Sequence, residues 1–446
     1  MTTFDKREEG FEKKFAHDEE LRFKANARRN KLLGLWAAEK LGLTGDAANA
    51  YAKEVVMADF EGAGESDVLK KVQKDLEAKG VATSEQDARF APAFAEVNAW
   101  VAKKAFPGAV LAVGQHGRLL ALKAFGRIDS SADAPPMPVN AIFDLASLTK
   151  VIGTTSAAEI LYDRGRLDLD APVVRYLPEF GSTPGHDRIT VRNLLSHSSG
   201  LQSADGLWRT AKDRQDLLRL IYATPTLTPP GTVYAYRDTN IILVGEIVQR
   251  LSGQPLDRFL AREVFGPLGM KDTGFRPSRA LLSRIAPTEQ DDTFRHMLVR
   301  GVVHDENSYV MGGVAGHAGL FSTARDLSAL AQLYLNHGSY RGKRLIKAST
   351  IALFETPQNL PPGSSRALGW DMPTPGGFAG PLASPRAILH TGFTGTSIYI
   401  DPDRDAFIIL LTNRVNPTRN NALIGQARPA IHTALLSILD GAAPKR

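Results

Sequence analysis

Only one serine in the chain is followed three residues later by a lysine: Ser147, in the run Phe143-Asp144-Leu145-Ala146-Ser147-Leu148-Thr149-Lys150. A serine hydroxyl is a weak nucleophile until a base takes its proton, and a lysine amine is one candidate base. Positions i and i+3 share a helix face, so on a helix the Lys150 amine reaches the Ser147 oxygen. A serine in the first helical turn also stands at a positive helix end, where free N–H groups can meet a developing oxyanion. Ordinary composition yields about one or two such pairs by chance in a chain of this length. The pair therefore needs company.

Company follows in order along the chain. Pro230-Gly231-Thr232-Val233-Tyr234-Ala235-Tyr236-Arg237-Asp238 runs into the apolar, helix-like stretch 241–248. Leu389-His390-Thr391-Gly392-Phe393-Thr394-Gly395 opens a strand-like run, Thr396 to Ile400. Taken alone, Tyr236 reads as a buried aromatic beside a helix. Placed between the two other motifs, it becomes a second acid or base, ferrying protons between Ser147, leaving group and water. A free phenol is mostly protonated near neutral pH, so a neighbouring cation such as Lys150 would have to stabilise its ionised form. For Lys150 itself to act as base, its pKa must fall by several units, which burial and nearby cations can achieve.

Other clusters are weaker. His304, Asp305 and Glu306 are consecutive and point in different directions, which opposes a metal site with His317. His197 reads as a structural histidine. Gly312-Gly313-Val314-Ala315-Gly316 lacks the following Lys-Ser/Thr of a phosphate loop. No metal and no cofactor is called for.

The elements that must position these residues divide the chain in two textures. Residues 1–80 contain no proline, whereas the rest holds all 26. Phe4, Phe11 and Phe15 recur as one stripe of a helix whose other faces are charged. Leu32, Leu33, Leu35 and Trp36 carry the apolar character on to Leu43. Thr44 is placed to cap a second helix through Ala50, Tyr51, Val55 and Ala58, stopped by Gly62-Ala63-Gly64. Ser66 is placed to cap a third, carrying Val68, Leu69, Val72 and Leu76 and ending at Gly80. Residues 81–94 read as a short polar linker and 95–440 as the main domain. That domain has two strands near its start, 110–113 and 119–125, joined by Gly114-Gln115-His116-Gly117. Two more lie near its end, 396–400 and 406–412. About 250 mainly helical residues lie between. The expected fold is α+β: a small all-helical module, then one antiparallel sheet flanked by helices plus a helical region, with the active site in the cleft between them.

Composition sets outer bounds. The 446 residues are 43% hydrophobic and 23% charged, ordinary for globular chains. Net charge is +6, but basic and acidic residues are interspersed, which argues against a nucleic-acid partner. There is no cysteine, so disulfides, thiolate metal sites and cysteine catalysis are excluded. No stretch has the roughly 18 to 20 apolar residues that span a bilayer. The charged N-terminus has no apolar core of a signal peptide, which predicts a cytoplasmic protein.

Ser-x-x-Lys, Tyr-x-Asp and His-Thr-Gly in this order resemble the serine β-lactamase and penicillin-binding-protein superfamily, in its class C, esterase and DD-peptidase branch. That family reads Ser-x-x-Lys, Tyr-x-Asn and Lys-Thr-Gly. Phe106-Pro107-Gly108-Ala109, Leu194 to Leu201 and Gly316 to Ser322 also resemble it. The resemblance implies an acyl-enzyme on Ser147, with Lys150 and Tyr236 catalytic and with an oxyanion hole from the N–H groups of Ser147 and Phe393. Asp238, His390, Thr391, Gly392 and Phe393 would then bind substrate. Asp238 in place of Asn and His390 in place of Lys remove two positive-leaning contacts. Ester or uncharged amide substrates are therefore expected over penicillin-like carboxylates, with DD-peptidase or muropeptide amidase activity competing with esterase activity on a peptidoglycan-derived substrate. The first 43 residues are similar to the zeta-type inhibitor subunit of α-proteobacterial F1-ATPases, a four-helix domain. This implies an ATPase partner for residues 1–80, with Thr2 to Glu20 as the inhibitory element. An inert hydrolase domain in a regulatory protein is the alternative.

Overall fold

The computed structural model describes residues 3–61, 65–79 and 85–441, and divides into two compact units. The first holds residues 1–105, 375–384 and 423–446; the second holds 106–374 and 385–422.

The proline-free region folds as helices α1 (Thr3–Lys40), α2 (Gly45–Glu61) and α3 (Glu65–Ala78). Leu33, Tyr51, Val55, Val68, Val72 and Leu76 are buried in one cluster, so the apolar spacing reads through directly into packing. The Tyr51 hydroxyl donates to Asp75 at 2.7 Å, and burial with that carboxylate raises its pKa well above an ordinary phenol. Backbone of α1 covers Phe4, Phe11 and Phe15, but their side chains lie outside the described set, as do Thr2, Gly62–Gly64 and residues 80–84. α3 opens at Glu65, one residue before the expected cap Ser66.

The expected linker 81–94 is not a linker beyond residue 84. α4 spans Glu85–Ala102 with Pro92 inside it. It joins the first unit, where Arg28 meets Glu96 at 2.7 Å and Trp100 donates to the same carboxylate at 2.9 Å. The helix Ile424–Asp440 belongs to this unit too. Arg29 and Arg89 donate to the carbonyl oxygens of Ser437 and Ile438 at its end, at 3.4 and 3.3 Å.

The second unit is built on a five-stranded antiparallel sheet. Its order is Ile388–Thr391, Ser397–Asp401, Ala406–Thr412, then β1 (Gly108–Gln115) and β2 (Arg118–Gly126). Strands from both ends of the unit thus pair centrally, with Val110 opposite Leu411 and Val113 opposite Ile408. Every residue of β1 is buried, which explains its unbroken apolar run. His390 stands opposite Ile398 on the edge strand, a strand the sequence had not announced. A smaller ribbon pairs Phe143–Asp144 and Gly274–Phe275 with the two sides of Leu320–Ser322. Among the described residues, no helix is long and apolar enough to cross a membrane.

One close approach fixes the site. The helix Asp238–Ser252 and the loop at Gly316 press together, and a Cβ on Gly316 would lie 2.2 Å from the Ile241 carbonyl oxygen. Gly316→Ala is expected to destabilise by about 1–3 kcal/mol through overpacking. Gly425→Ala, on a helix with nothing within 4 Å, is expected to be neutral or mildly stabilising. Thermal melts of the two variants check the contrast.

Candidate active site

Ser147 immediately precedes the helical run 148–163 and follows Ala146, which holds a left-handed φ of 46°. That conformation is strained for a residue with a Cβ, and such strain gathers at functional sites. The turn is braced from below: the Ala146 N–H donates to Asp144 at 2.8 Å, and the His304 N–H donates to the other oxygen of the same carboxylate at 2.7 Å. Burial pushes the Asp144 pKa up. The helix then takes a π conformation over Lys150–Thr155.

Lys150 lies wholly inside the protein, and its ammonium meets three acceptors. Ser147 Oγ is 2.7 Å away, Asp238 Oδ1 2.8 Å and the His317 carbonyl oxygen 3.2 Å. The Ser147 and His317 oxygens accept hydrogen bonds from it, and Asp238 is its ion-pair partner. Burial alone would lower the Lys150 pKa, but the charges of Asp238 and Tyr236 outweigh it, and the net shift is upward. The shift is opposite to the fall that a base role for Lys150 would need, and the sequence did not show that Asp238 would point at Lys150. Asp238 accordingly faces the lysine, not open cleft. It occupies the first turn of its helix, where a carboxylate is also favoured by the helix end.

Tyr236 is 37% exposed at the opening, with Lys150 Nζ 5.1 Å from its ring centroid. It is no buried core aromatic. The His197 ring lies beside it, at 4.6 Å between centroids. His197 also holds both flanks of Tyr236: its carbonyl accepts from the Ala235 N–H at 2.9 Å, and its Nδ1 accepts from the Arg237 N–H at 3.2 Å. Burial, with Arg366 and Lys150 nearby, drives the His197 pKa well below ordinary histidine, so the ring stays neutral and able to accept. The structural reading of His197 thus gains a local task, holding Tyr236. Its left-handed φ of 55° and the Ser-His-Ser-Ser-Gly context were the available signals.

The strand-edge loop completes the site. Thr394 and Thr396 hydroxyls donate to the carbonyl oxygens of Asp144 and Leu145, at 2.7 and 3.0 Å. A Cβ on Gly392 would lie 2.3 Å from the Leu145 carbonyl oxygen, so only glycine permits this seating. The Phe393 carbonyl is held by Arg414 at 2.8 Å. Neither the Ser147 nor the Phe393 N–H has a protein acceptor among the described residues. His390 is buried, with Nδ1 2.9 Å from the Thr391 carbonyl oxygen and its ring 6.0 Å from that of Tyr236.

The 304–306 run diverges as expected: His304 meets Glu289 at 2.9 Å, Asp305 meets His317 at 2.8 Å and Glu306 meets Arg419 at 2.7 Å. Hydrogen bonds from His304 and Arg419 overcome burial and bring Glu289 down to about 2. Asp305 is likewise lowered against the pull of burial, by His317 and then Lys150. A set that the sequence did not reveal is Asp238, Asp305 and His317, whose ligand atoms lie within 4.8 Å of one another. The cation beside this set is Lys150, whose ammonium already meets Asp238 and the His317 carbonyl.

Comparison with known proteins agrees with this geometry. Residues 84–430 match the family model Beta-lactamase, and residues 1–100 match that of ATPase inhibitor subunit zeta. A Bacillus subtilis (strain 168) protein named N-acetylmuramyl-L-alanine amidase is 36% identical over 343 residues, covering 69% of this chain and 77% of the relative. Among solved structures, a penicillin-binding protein homologue from Caulobacter crescentus superposes with a TM-score of 0.64 at 24% identity, covering 78% of this chain and 97% of that one. EstCE1, described as a hydrolase with promiscuous acyltransferase activity, gives 0.62 at 22%, covering 78% and 100%. With residues 84–430 matching its family model and a relative 36% identical, the chain belongs to the β-lactamase family of hydrolases.

Proposed function

We propose that this chain is a serine hydrolase that forms an acyl-enzyme on Ser147, and that its substrate is an amide of a peptidoglycan fragment. The observation that carries the reaction class is the 2.7 Å contact of Ser147 Oγ with a buried, fully bonded Lys150 ammonium. The substrate class is supported by the name of the Bacillus subtilis relative.

The upward shift of the Lys150 pKa favours one proton route. A lysine held cationic cannot accept the serine proton, so Tyr236, at the opening beside it, takes that part. Ser147 Oγ bonds to the carbonyl carbon while its proton passes to the Tyr236 oxygen, which enters the step as the phenolate paired with the Lys150 ammonium and leaves it as the phenol. The oxyanion is received by the N–H groups of Ser147 and Phe393, each such donor being worth on the order of 3 kcal/mol of barrier. Collapse breaks the bond to the leaving amine, which takes the proton from Tyr236. Water then repeats the sequence and frees Ser147. Lys150 stabilises negative charge on either oxygen throughout.

The N-terminal match supports a second role: binding of an F1-type ATPase through residues 1–80, to be tested by capture of ATPase subunits on the full chain. Loss of capture on deleting Thr2 to Glu20 is the expected outcome.

Intact mass after incubation with a fluorophosphonate probe should show one adduct in the wild type and none in Ser147→Ala. An adduct that persists in the variant would remove Ser147 from the mechanism. Tyr236→Phe should lower the rate of ester or amide hydrolysis by about 10²–10⁴-fold. Asp238→Asn leaves Lys150 buried without its countercharge. The Lys150 pKa must then fall, and the limb of the kcat/KM profile that titrates Lys150 should move to lower pH by a unit or more. An unmoved profile would show that Asp238 does not set the charge of Lys150.

A further inference from the structure

A cavity of about 730 Å³ opens beside the segment that leads into His304. Its size is that of a small-molecule site. Arg276, Arg279 and Arg300 line it, and no Asp or Glu does. Arg276 is neutralised by Asp257 at 2.6 Å. Arg300 spends its Nε on the Ile285 carbonyl oxygen at 2.8 Å and has no carboxylate partner among the described residues. Arg279 forms no ion pair among them either. Two guanidinium groups therefore face one concave surface without countercharge, where like charges raise the affinity for an anion.

The rest of the lining is apolar and open. Leu282, Met297 and Tyr309 belong to the few large hydrophobic side chains left exposed, at 37, 37 and 42%, and all three line this cavity. Phe321 lines it too. Exposed apolar groups gathered in one concavity mark a binding site more often than a solvated face. Two independent features, uncompensated arginines and clustered apolar exposure, thus call for one ligand chemistry.

We infer that this cavity binds a molecule with a carboxylate and an apolar body, the carboxylate on Arg279 and Arg300 and the body against Leu282, Met297 and Tyr309. The cavity neighbours the reaction site through two short links. Val303 in its wall precedes His304, whose ring stacks on Phe393 at 5.6 Å. Tyr309 lies one helical turn beyond Asp305, the partner of His317. Two sources supply such a carboxylate: a part of the substrate remote from the scissile bond, or a separate small molecule.

Titration calorimetry on the full chain tests this with octanoate, and with octanamide as its uncharged analogue. Ser147→Ala is used for the titration, so the result does not depend on the serine mechanism. Octanoate should bind at least tenfold more tightly than octanamide. Arg279→Gln with Arg300→Gln, added to Ser147→Ala, should reduce octanoate to the level of the amide with circular dichroism unchanged, and the same pair in the wild-type background should leave the fluorophosphonate adduct as in wild type. Equal binding of the two probes, or octanoate binding that survives the double variant, overturns the inference. A second arm separates the sources: octanoate that raises KM for ester hydrolysis without changing kcat places the carboxylate on the substrate. Binding with no effect on KM assigns it to a separate ligand.

Discussion

The site depends on keeping a positive charge in the interior. A buried ammonium without partners would shed its proton, and the cost of desolvation is the largest single influence on Lys150. What retains the charge is chiefly the carboxylate of Asp238, with Tyr236 beside it, while a backbone carbonyl and the serine hydroxyl accept hydrogen bonds from the ammonium. The surrounding architecture serves this arrangement. The helix beginning at Asp238 delivers the carboxylate, and the close packing of its Gly245 against Gly316 delivers the His317 carbonyl. Asp305, tied to the His317 ring, adds a second negative charge nearby.

Asp238 bears directly on the charge of the lysine, 2.8 Å from the Lys150 ammonium. With asparagine in place of Asp238, the lysine would be free to cycle its proton. With Asp238 beside it, the lysine pKa is held up, and on the proposed route the Tyr236 oxygen carries the protons. His197 restrains the backbone on either side of Tyr236.

Much of this was legible in the sequence, and what was not has physical causes. Ser147 and Lys150 stand in one short local pattern, whereas Tyr236 came forward through its place between the other two motifs of the family resemblance. The apolar repeats of Val68, Val72 and Leu76, and the apolar run of β1, translated directly into burial. The first half of α4 was hidden because Pro92, which lacks an N–H and normally ends a helix interior, sits within it, although Phe90, Ala91, Ala93 and Phe94 around it are apolar and buried. The edge strand at His390 was hidden by its four-residue length. The grouping of Asp238, Asp305 and His317 joins positions far apart in the chain, as does the upward shift of Lys150. Such facts belong to packing and leave no periodic trace.

The first unit is closed by helices from opposite ends of the chain: Arg29 on α1 reaches Ser437 across a separation of 408 residues. During synthesis, the N-terminal helices emerge early and must wait for the whole second unit to be made before Ile424–Asp440 arrives to cover them. A ribosome that stalls before that helix releases an N-terminal module with an uncovered face. Completion of the chain thereby becomes a condition for finishing its beginning.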